Sequence, residues 1–308
     1  MALVLPDLKV TRSSHPDHAR PGTTRPVTVG SATFGAGLPV VIAGPCTVES
    51  RRQTLAIARA VKAAGATLLR GGAYKPRTSP YAFQGMGKAG LQILAEAREE
   101  TGLGIVTEVL DPRLVELVGS VADCIQIGSR SMQNFPLLTE VGRLGKPVLL
   151  KRGFGATVEE WIYAAEYVAL AGTLDILFCE RGIRSFANGA YDRATLDLAA
   201  VHAVRQLTPY PVVVDPSHAA GRADLVPSLA AAALAQGADG LLIEVVEPSS
   251  DRSQILCDGE QGIEPEVLAG IVARSRTEAA LRAGRLPEGL ELAPEPRLAP
   301  AGAASGRP

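Results

Sequence analysis

The sequence predicts an α/β fold, a closed (β/α)8 TIM barrel. Short continuous apolar runs recur eight times along the chain. Amphipathic stretches of helical period lie between them. Unusual polar residues stand, unit after unit, at or just beyond the C-terminal end of an apolar run. Continuous apolar runs mark parallel strands covered on both faces, and chemistry in such barrels collects at the C-terminal strand ends. A doubly wound open sheet is the alternative; eight regular units favour closure.

Taken in order, PVTVGSATFGAGLP (26–39) reads as a small hairpin with a glycine turn, placed to plug the lower end of the barrel. The first barrel strand is VVIAG (40–44). SRRQTLAIARAVKAAG (50–65) follows as a helix, with Leu55, Ala58, Val61 and Lys62 spanning two turns and Gly65 at its end. The next runs are TLLRG (67–71), GIVTEV (104–109), CIQIG (124–128) and PVLLKRG (147–153). TVEEWIYAAEYVALAG (157–172) reads as a helix with a capping box from Thr157 to Glu160 and a stop at Gly172. DILFCERG (175–182), PVVVDPS (211–217) and GLLIEV (240–245) complete the eight strands. Residues 28–280 therefore form the barrel with its hairpin. Residues 1–27, rich in Pro, Ser, Thr and charge, form an arm expected to be loose. Residues 281–308, rich in Pro, Ala and Gly, form a tail expected to be disordered.

With 308 residues, 46% of them hydrophobic, the chain can bury a large core. Its formal net charge of −1 argues against wholesale binding to nucleic acid or to a membrane surface. No apolar stretch approaches the roughly 20 residues of a membrane span, and no basic start leads into an apolar core as in a signal peptide. The four cysteines, Cys46, Cys124, Cys179 and Cys257, are far apart with no CxxC spacing. That pattern argues against a zinc finger or a disulfide scaffold and favours a reducing compartment, with a cytoplasmic location expected.

The residues at the strand ends fall into two chemical groups. Cys46, His218, Glu244 and Asp258 follow the first, seventh and eighth strands, which are neighbours once the barrel closes. A thiolate, an imidazole and two carboxylates suit Mn2+ first, with Fe2+, Co2+ or Zn2+ as alternatives, better than Mg2+ or Ca2+. Taken singly, a small cysteine is more often core filler, and a DPSH turn is ordinary turn chemistry; it is the convergence of all four that argues for a metal. The second group is cationic: Arg70, Lys75, Arg77, Arg130, Lys151 and Arg181. Cations at the ends of buried runs need an anion. Arg offers a fork to phosphate or carboxylate and Lys a point charge. Six cations fit one small molecule carrying both groups, or two phosphorylated substrates. Gly71 and Gly72 would let the backbone approach such a ligand.

The motifs GPCTVES (44–50), LRGGAYKPRTSPYAFQG (69–85), IGSRSMQNFPLL (127–138), CERGIRSF (179–186), TLDLAAV (195–201), VVVDPSHAAGR (212–222) and CDGEQG (257–262) form an ordered series over two-thirds of the chain. In them the chain resembles the 3-deoxy-D-arabino-heptulosonate 7-phosphate (DAHP) synthases of the type I beta subfamily, relatives of the KDO8P synthases. The KPRTS loop, 75–79, separates it from the latter, which carry an Asn-Arg-Ser-Ser type loop there. The resemblance implies a metal-dependent transferase that condenses phosphoenolpyruvate with erythrose 4-phosphate, releases phosphate and opens the shikimate pathway to aromatic amino acids. It implies Cys46, His218, Glu244 and Asp258 as metal ligands; Arg70, Lys75, Ser129, Arg130, Lys151 and Arg181 at the phosphoenolpyruvate site; and Arg77 and Thr78 at the aldose phosphate. It gives catalytic roles to Lys75, Glu108, His218 and Cys46, and it implies a homo-oligomer, a tetramer or dimer. Ala194 stands where the family usually has Asn, Val246 where it has His, and Cys257 precedes Asp258 in a lengthened loop. A paralogue using another aldose phosphate, and a non-catalytic barrel that binds a phosphometabolite, are the alternatives. Too few residues precede the first barrel strand for the ferredoxin-like regulatory domain of some relatives, so insensitivity to Phe or Tyr, or control by a partner, is expected.

Overall fold

The computed structural model describes residues 8–12, 20, 23–186, 189, 193–247 and 251–285. The tail expected over 281–308 lies outside the described residues from 286 onward, as does most of the arm. A hairpin, β1 (Val27–Val29) and β2 (Ala32–Phe34), precedes eight parallel strands. These are β3 (Val40–Gly44), β4 (Leu68–Arg70), β5 (Gly104–Glu108), β6 (Cys124–Ile127), β7 (Val148–Lys151), β8 (Ile176–Glu180), β9 (Val212–Val214) and β10 (Gly240–Glu244). They pair in sequence order and close, with β10 against β3 from Gly240↔Val40 to Glu244↔Gly44. The helices between and beyond them are α1 (Arg51–Ala63), α2 (Lys88–Thr101), α3 (Val115–Gly119), α4 (Phe135–Arg143), α5 (Val158–Ala171), α6 (Leu198–Leu207), α7 (Pro216–Ala220), α8 (Val226–Ala235) and α9 (Pro265–Arg282). The predicted (β/α)8 barrel is the observed fold. Among the described residues no helix is long and apolar enough to cross a membrane.

Local signals read from the sequence sit where the helices start and stop. Ser50 Oγ accepts from Gln53 N at 3.2 Å to open α1. Leu55, Ala58 and Val61 are buried, whereas Lys62 is exposed near the helix end, beside the carbonyls it complements. In α5 the capping box closes both ways. Glu160 N donates to Thr157 Oγ1 at 3.1 Å, and Thr157 N donates to Glu160 Oε2 at 2.8 Å.

Two cores follow from the alternation of side chains along each strand. One phase, with Val41, Leu69, Ile105, Ile125, Leu150 and Ile243, packs outward beneath the helices. The other, with Ile42, Leu68, Val106, Cys124, Leu149, Leu177, Val213 and Leu242, fills the barrel together with Val27, Val29, Ala32 and Phe34 of the hairpin. The hairpin thus plugs the N-terminal end, and Phe34 comes so close that a Cβ on Gly240 would lie 2.8 Å from its ring. Part of the arm is docked rather than loose. Val10 is fully buried, Lys9 N and Val10 N donate to the Glu166 carboxylate at 3.0 and 3.1 Å, and Arg12 donates to Gln206 O at 3.2 Å. Apolar burial combined with a buried acceptor outweighs the composition of that segment.

Candidate active site

The inward phase dictates the rim. Two residues beyond Leu68, Val106, Cys124, Leu149, Cys179, Val213 and Leu242 stand Arg70, Glu108, Gln126, Lys151, Arg181, Asp215 and Glu244. Seven of the eight strands therefore turn from an apolar interior to one polar side chain at the C-terminal mouth, and in β3 the corresponding residue is Gly44. Arg152 and Glu180 have the opposite phase. They pair at 3.1 Å outside the barrel, with Asp197 2.8 Å from the same guanidinium nitrogen, and face the helices rather than the mouth.

The mouth is a cavity of about 390 Å³. Arg70, Lys75, Arg77, Thr78, Glu108, Ser129, Arg130, Lys151, Arg181, His218 and Asp258 all border it. On one side, ligand atoms of Cys46, His218, Glu244 and Asp258 lie within 4.8 Å of one another. Cys46 Sγ is 3.3 Å from Asp258 Oδ2, and His218 Nε2 is 3.1 Å from Glu244 Oε1. The donors are held from behind. Asp215 Oδ2 is 2.7 Å from His218 Nδ1 and Asp215 Oδ1 accepts from His218 N at 2.9 Å, so the DPSH turn caps α7 and aims the imidazole at once. Glu244 accepts from Arg70 Nη1 at 2.7 Å and from Gln261 Nε2. One sulfur, one ring nitrogen and two carboxylates at this spacing fit a first-row divalent ion.

Burial holds His218 down to about 4 against the pull of Asp215 and Glu244, which leaves the ring neutral, as a ligand must be. Burial also pushes the Cys46 thiol up. Cys257 Sγ lies 3.3 Å away and, by accepting from that thiol, comes down to about 7. Burial works against the Lys75 ammonium, but the acidic groups around it, Cys46, Cys257 and Glu244, outweigh that and raise its pKa. Its Nζ sits 2.8 Å from Cys46 Sγ and 3.8 Å from Asp258 Oδ2.

The other side is cationic. Lys151 is neutralised by Asp215 at 2.6 Å. Among the described residues Arg181, 4% exposed, has only the carbonyls of Gly182 and His218 as hydrogen-bond partners, at 3.2 and 3.1 Å. Arg130 Nη2 donates to Thr78 Oγ1 at 3.3 Å, and Arg77 Nη1 donates to Phe83 O at 3.4 Å. Burial raises the Glu108 carboxyl against the pull of Lys75, Lys151 and Arg70. Its Oε1 and the hydroxyl of Ser129 are buried at the cavity edge without a hydrogen-bond partner among the described residues.

Gly71 and Gly72 do not face the cavity: both are buried, and Gly72 N donates to Cys46 O at 3.2 Å. Their smallness lets the β4 loop pack against the loop carrying Cys46, which corrects the ligand-approach expectation. Sequence reasoning missed Gln126, Gln261 and Phe154 as site residues. For Gln126 the signal was available, as the inward phase of β6. Gln261 lies on a loop with no period to read. Val246, in place of the family's usual histidine, is buried under Gly262, where a Cβ would meet it at 2.4 Å. Arg193 Nη2 reaches Asp258 Oδ1 at 3.4 Å.

A family model described as DAHP synthetase I family matches residues 20–279. A phospho-2-dehydro-3-deoxyheptonate aldolase of Thermotoga maritima is 44% identical over 263 residues, covering 85% of this chain and 75% of that protein. A 2-dehydro-3-deoxyphosphooctonate aldolase of Syntrophotalea carbinolica is 37% identical over 254 residues, covering 76% and 89%. Among solved structures, that of the Thermotoga maritima DAHP synthase superposes with a TM-score of 0.83 at 41% identity, covering 92% of this chain and 80% of that one. The matched span takes in the whole barrel and every residue of the two-sided rim, and the chain belongs to the DAHP synthetase I family.

Proposed function

We propose that this enzyme catalyses the metal-dependent, aldol-type condensation of phosphoenolpyruvate with erythrose 4-phosphate to DAHP and phosphate, the first step of the shikimate pathway. One observation supports the reading most: four metal-type donors converge at one side of a cavity of about 390 Å³, with His218 and Asp258 lining it, and among the described residues Arg77, Arg130 and Arg181 on its wall lack carboxylate partners. A divalent ion held by Cys46, His218, Glu244 and Asp258, Mn2+ first among the candidates, would supply Lewis-acid polarisation of the aldehyde.

The remaining steps belong to the protein's own residues. Arg130, Arg181 and Lys151, with Arg70 deeper in the barrel, bind the phosphate and carboxylate of phosphoenolpyruvate, so that its C3 is held towards the aldehyde carbon. Arg77 and Thr78 take the aldose phosphate. As the C–C bond forms, the aldehyde oxygen gains charge, and the positive Lys75 is placed to give it a proton. Positive character at C2 is met by water. Glu108, raised by burial, orients that water through its unpartnered Oε1 and takes its proton. The hydroxyl of the tetrahedral centre then closes to the C2=O bond, giving its proton to the departing group, as inorganic phosphate leaves with the pair of its C–O bond.

Phosphate release from phosphoenolpyruvate tests this, with and without erythrose 4-phosphate and with Mn2+ or a chelator. Release is expected only with both substrates and metal. Full activity after thorough chelation overturns the metal assignment, and no release overturns the reaction. A second reading has arabinose 5-phosphate as the aldose. It is favoured by the resemblance to 2-dehydro-3-deoxyphosphooctonate aldolases, while the KPRTS loop favours the four-carbon sugar. Running the assay with both aldoses separates them. A homo-oligomer, dimer or tetramer, and a cytoplasmic location go with the proposal, and sedimentation would count the subunits.

A further inference from the structure

Around the cavity half of the cations already have an acid. Arg70 pairs with Glu244 at 2.7 Å, Lys151 with Asp215 at 2.6 Å, and Lys75 and Arg193 with Asp258 at 3.8 and 3.4 Å. Among the described residues four cavity-lining arginines have no carboxylate within ion-pair distance: Arg77, Arg130, Arg181 and Arg184. Three of these four share one aromatic platform. The guanidinium carbons of Arg181 and Arg184 each lie 4.8 Å from the Phe154 ring centre, and that of Arg130 lies 5.3 Å from it. Arg184 is also fixed to this platform through the main chain, since Arg184 N donates to Phe154 O at 2.8 Å. The β7–α5 loop and the loop after β8 are thereby locked in register.

A ring face offsets only a small part of a guanidinium charge. That does not neutralise three like charges gathered on one ring, one of them almost fully buried. The arrangement is built for a multiply charged anion with several acceptor oxygens. We infer that Arg184 is a third guanidinium ligand of the phosphoryl group of phosphoenolpyruvate, and that Phe154 is the positioning residue that sets Arg130, Arg181 and Arg184 around it. The inference deepens the proposed function and rests on its placing of Arg130 and Arg181 at phosphoenolpyruvate. The same seat holds the phosphate after it leaves, so the free product competes there.

The test uses the full chain with Mn2+ and no aldose, so that phosphoenolpyruvate and inorganic phosphate can each be titrated calorimetrically without turnover. Arg184→Gln is expected to weaken both by roughly 10- to 100-fold, the range for losing a charge-assisted hydrogen bond. Arg184→Lys recovers part of that loss, because it restores charge without the fork. Phe154→Leu weakens both in the same direction, and the double variant loses less than the product of the singles, because the two residues act through one seat. The KM for erythrose 4-phosphate stays within threefold of the parent in all of them. Arg184 is exposed, and an unchanged melting temperature and Mn2+ affinity are expected to accompany its substitution. Phosphoenolpyruvate affinity within threefold of the parent in Arg184→Gln overturns the inference. So does an effect confined to the aldose phosphate, which would make Arg184 a ligand of the other substrate. If the parent protein itself binds no phosphoenolpyruvate, the proposed function fails, a result distinct from either.

Discussion

Replacing Asp215 by asparagine (Asp215→Asn) removes one charge that two halves of the site share. The carboxylate is fully buried, 2.6 Å from Lys151 Nζ and 2.7 Å from His218 Nδ1. At 2.6 Å and an effective dielectric of about 20, Coulomb's law gives roughly 6 kcal/mol between the unit charges of Asp215 and Lys151. Desolvation takes back part of that, and deleting one partner of a buried pair costs about 3–5 kcal/mol, because the other charge is left stranded. Urea denaturation of the metal-free protein should therefore show a loss of that order. Mn2+ titration should show affinity about 10- to 100-fold weaker, since the imidazole loses the partner that orients it. Asp215→Asn combined with Lys151→Met removes both charges, and most of the stability should return, while the metal affinity should not. A stability change under about 1 kcal/mol, well short of the cost expected for breaking a buried pair, refutes the reasoning. A double variant no more stable than the single refutes it too.

Cys46→Ala should lose measurable Mn2+ binding and release no more phosphate than the chelated parent; retained tight binding would remove the thiolate from the ligand set. Gly128→Ala places a Cβ 1.9 Å from Glu108 Oε1, so Glu108 must move. A displacement of this size costs about 100-fold in kcat, with Mn2+ affinity unchanged, and parental kcat would rule out the assigned role of Glu108. The pH dependence has a definite sign. His218 titrates at about 4 when folded against 6.5 when unfolded, so between those values the unfolded chain binds more protons. The metal-free protein should thus lose about 3 kcal/mol as pH falls through that window, and none of that cost applies above it. Asp215, whose pKa is depressed, adds a further loss below the window. A flat denaturation midpoint across the window contradicts a buried neutral His218.

How much of this was legible before folding differs from one residue to the next. Apolar runs such as VVIAG and GLLIEV carry the strands because a strand covered on both faces has no polar position to alternate with. Thr157 and Glu160 announced their helix because a cap is a contact between near neighbours. The polar residues at strand ends could be placed at the mouth from topology alone, and the motif series carried the family.

The tertiary structure decided what depends on phase and on distant partners. Arg152 and Lys151 are adjacent in sequence, yet one faces the helices and the other the cavity. Docking of residues 8–12 rests on Glu166, more than a hundred positions away. Which cations are neutralised and which stay free for a ligand is a matter of ångströms between loops: Arg70 meets Glu244, whereas Arg130, Arg181 and Arg184 gather on one ring with no carboxylate among the described residues at ion-pair distance. The sequence by itself determined the barrel, the side of it that carries chemistry and the residue types found there, because periodicity and local capping are written in neighbouring positions. The pairing of those charges, and hence where an anion can sit, came only with the closed barrel, because Coulomb energies depend on separations in space that no sequence interval encodes.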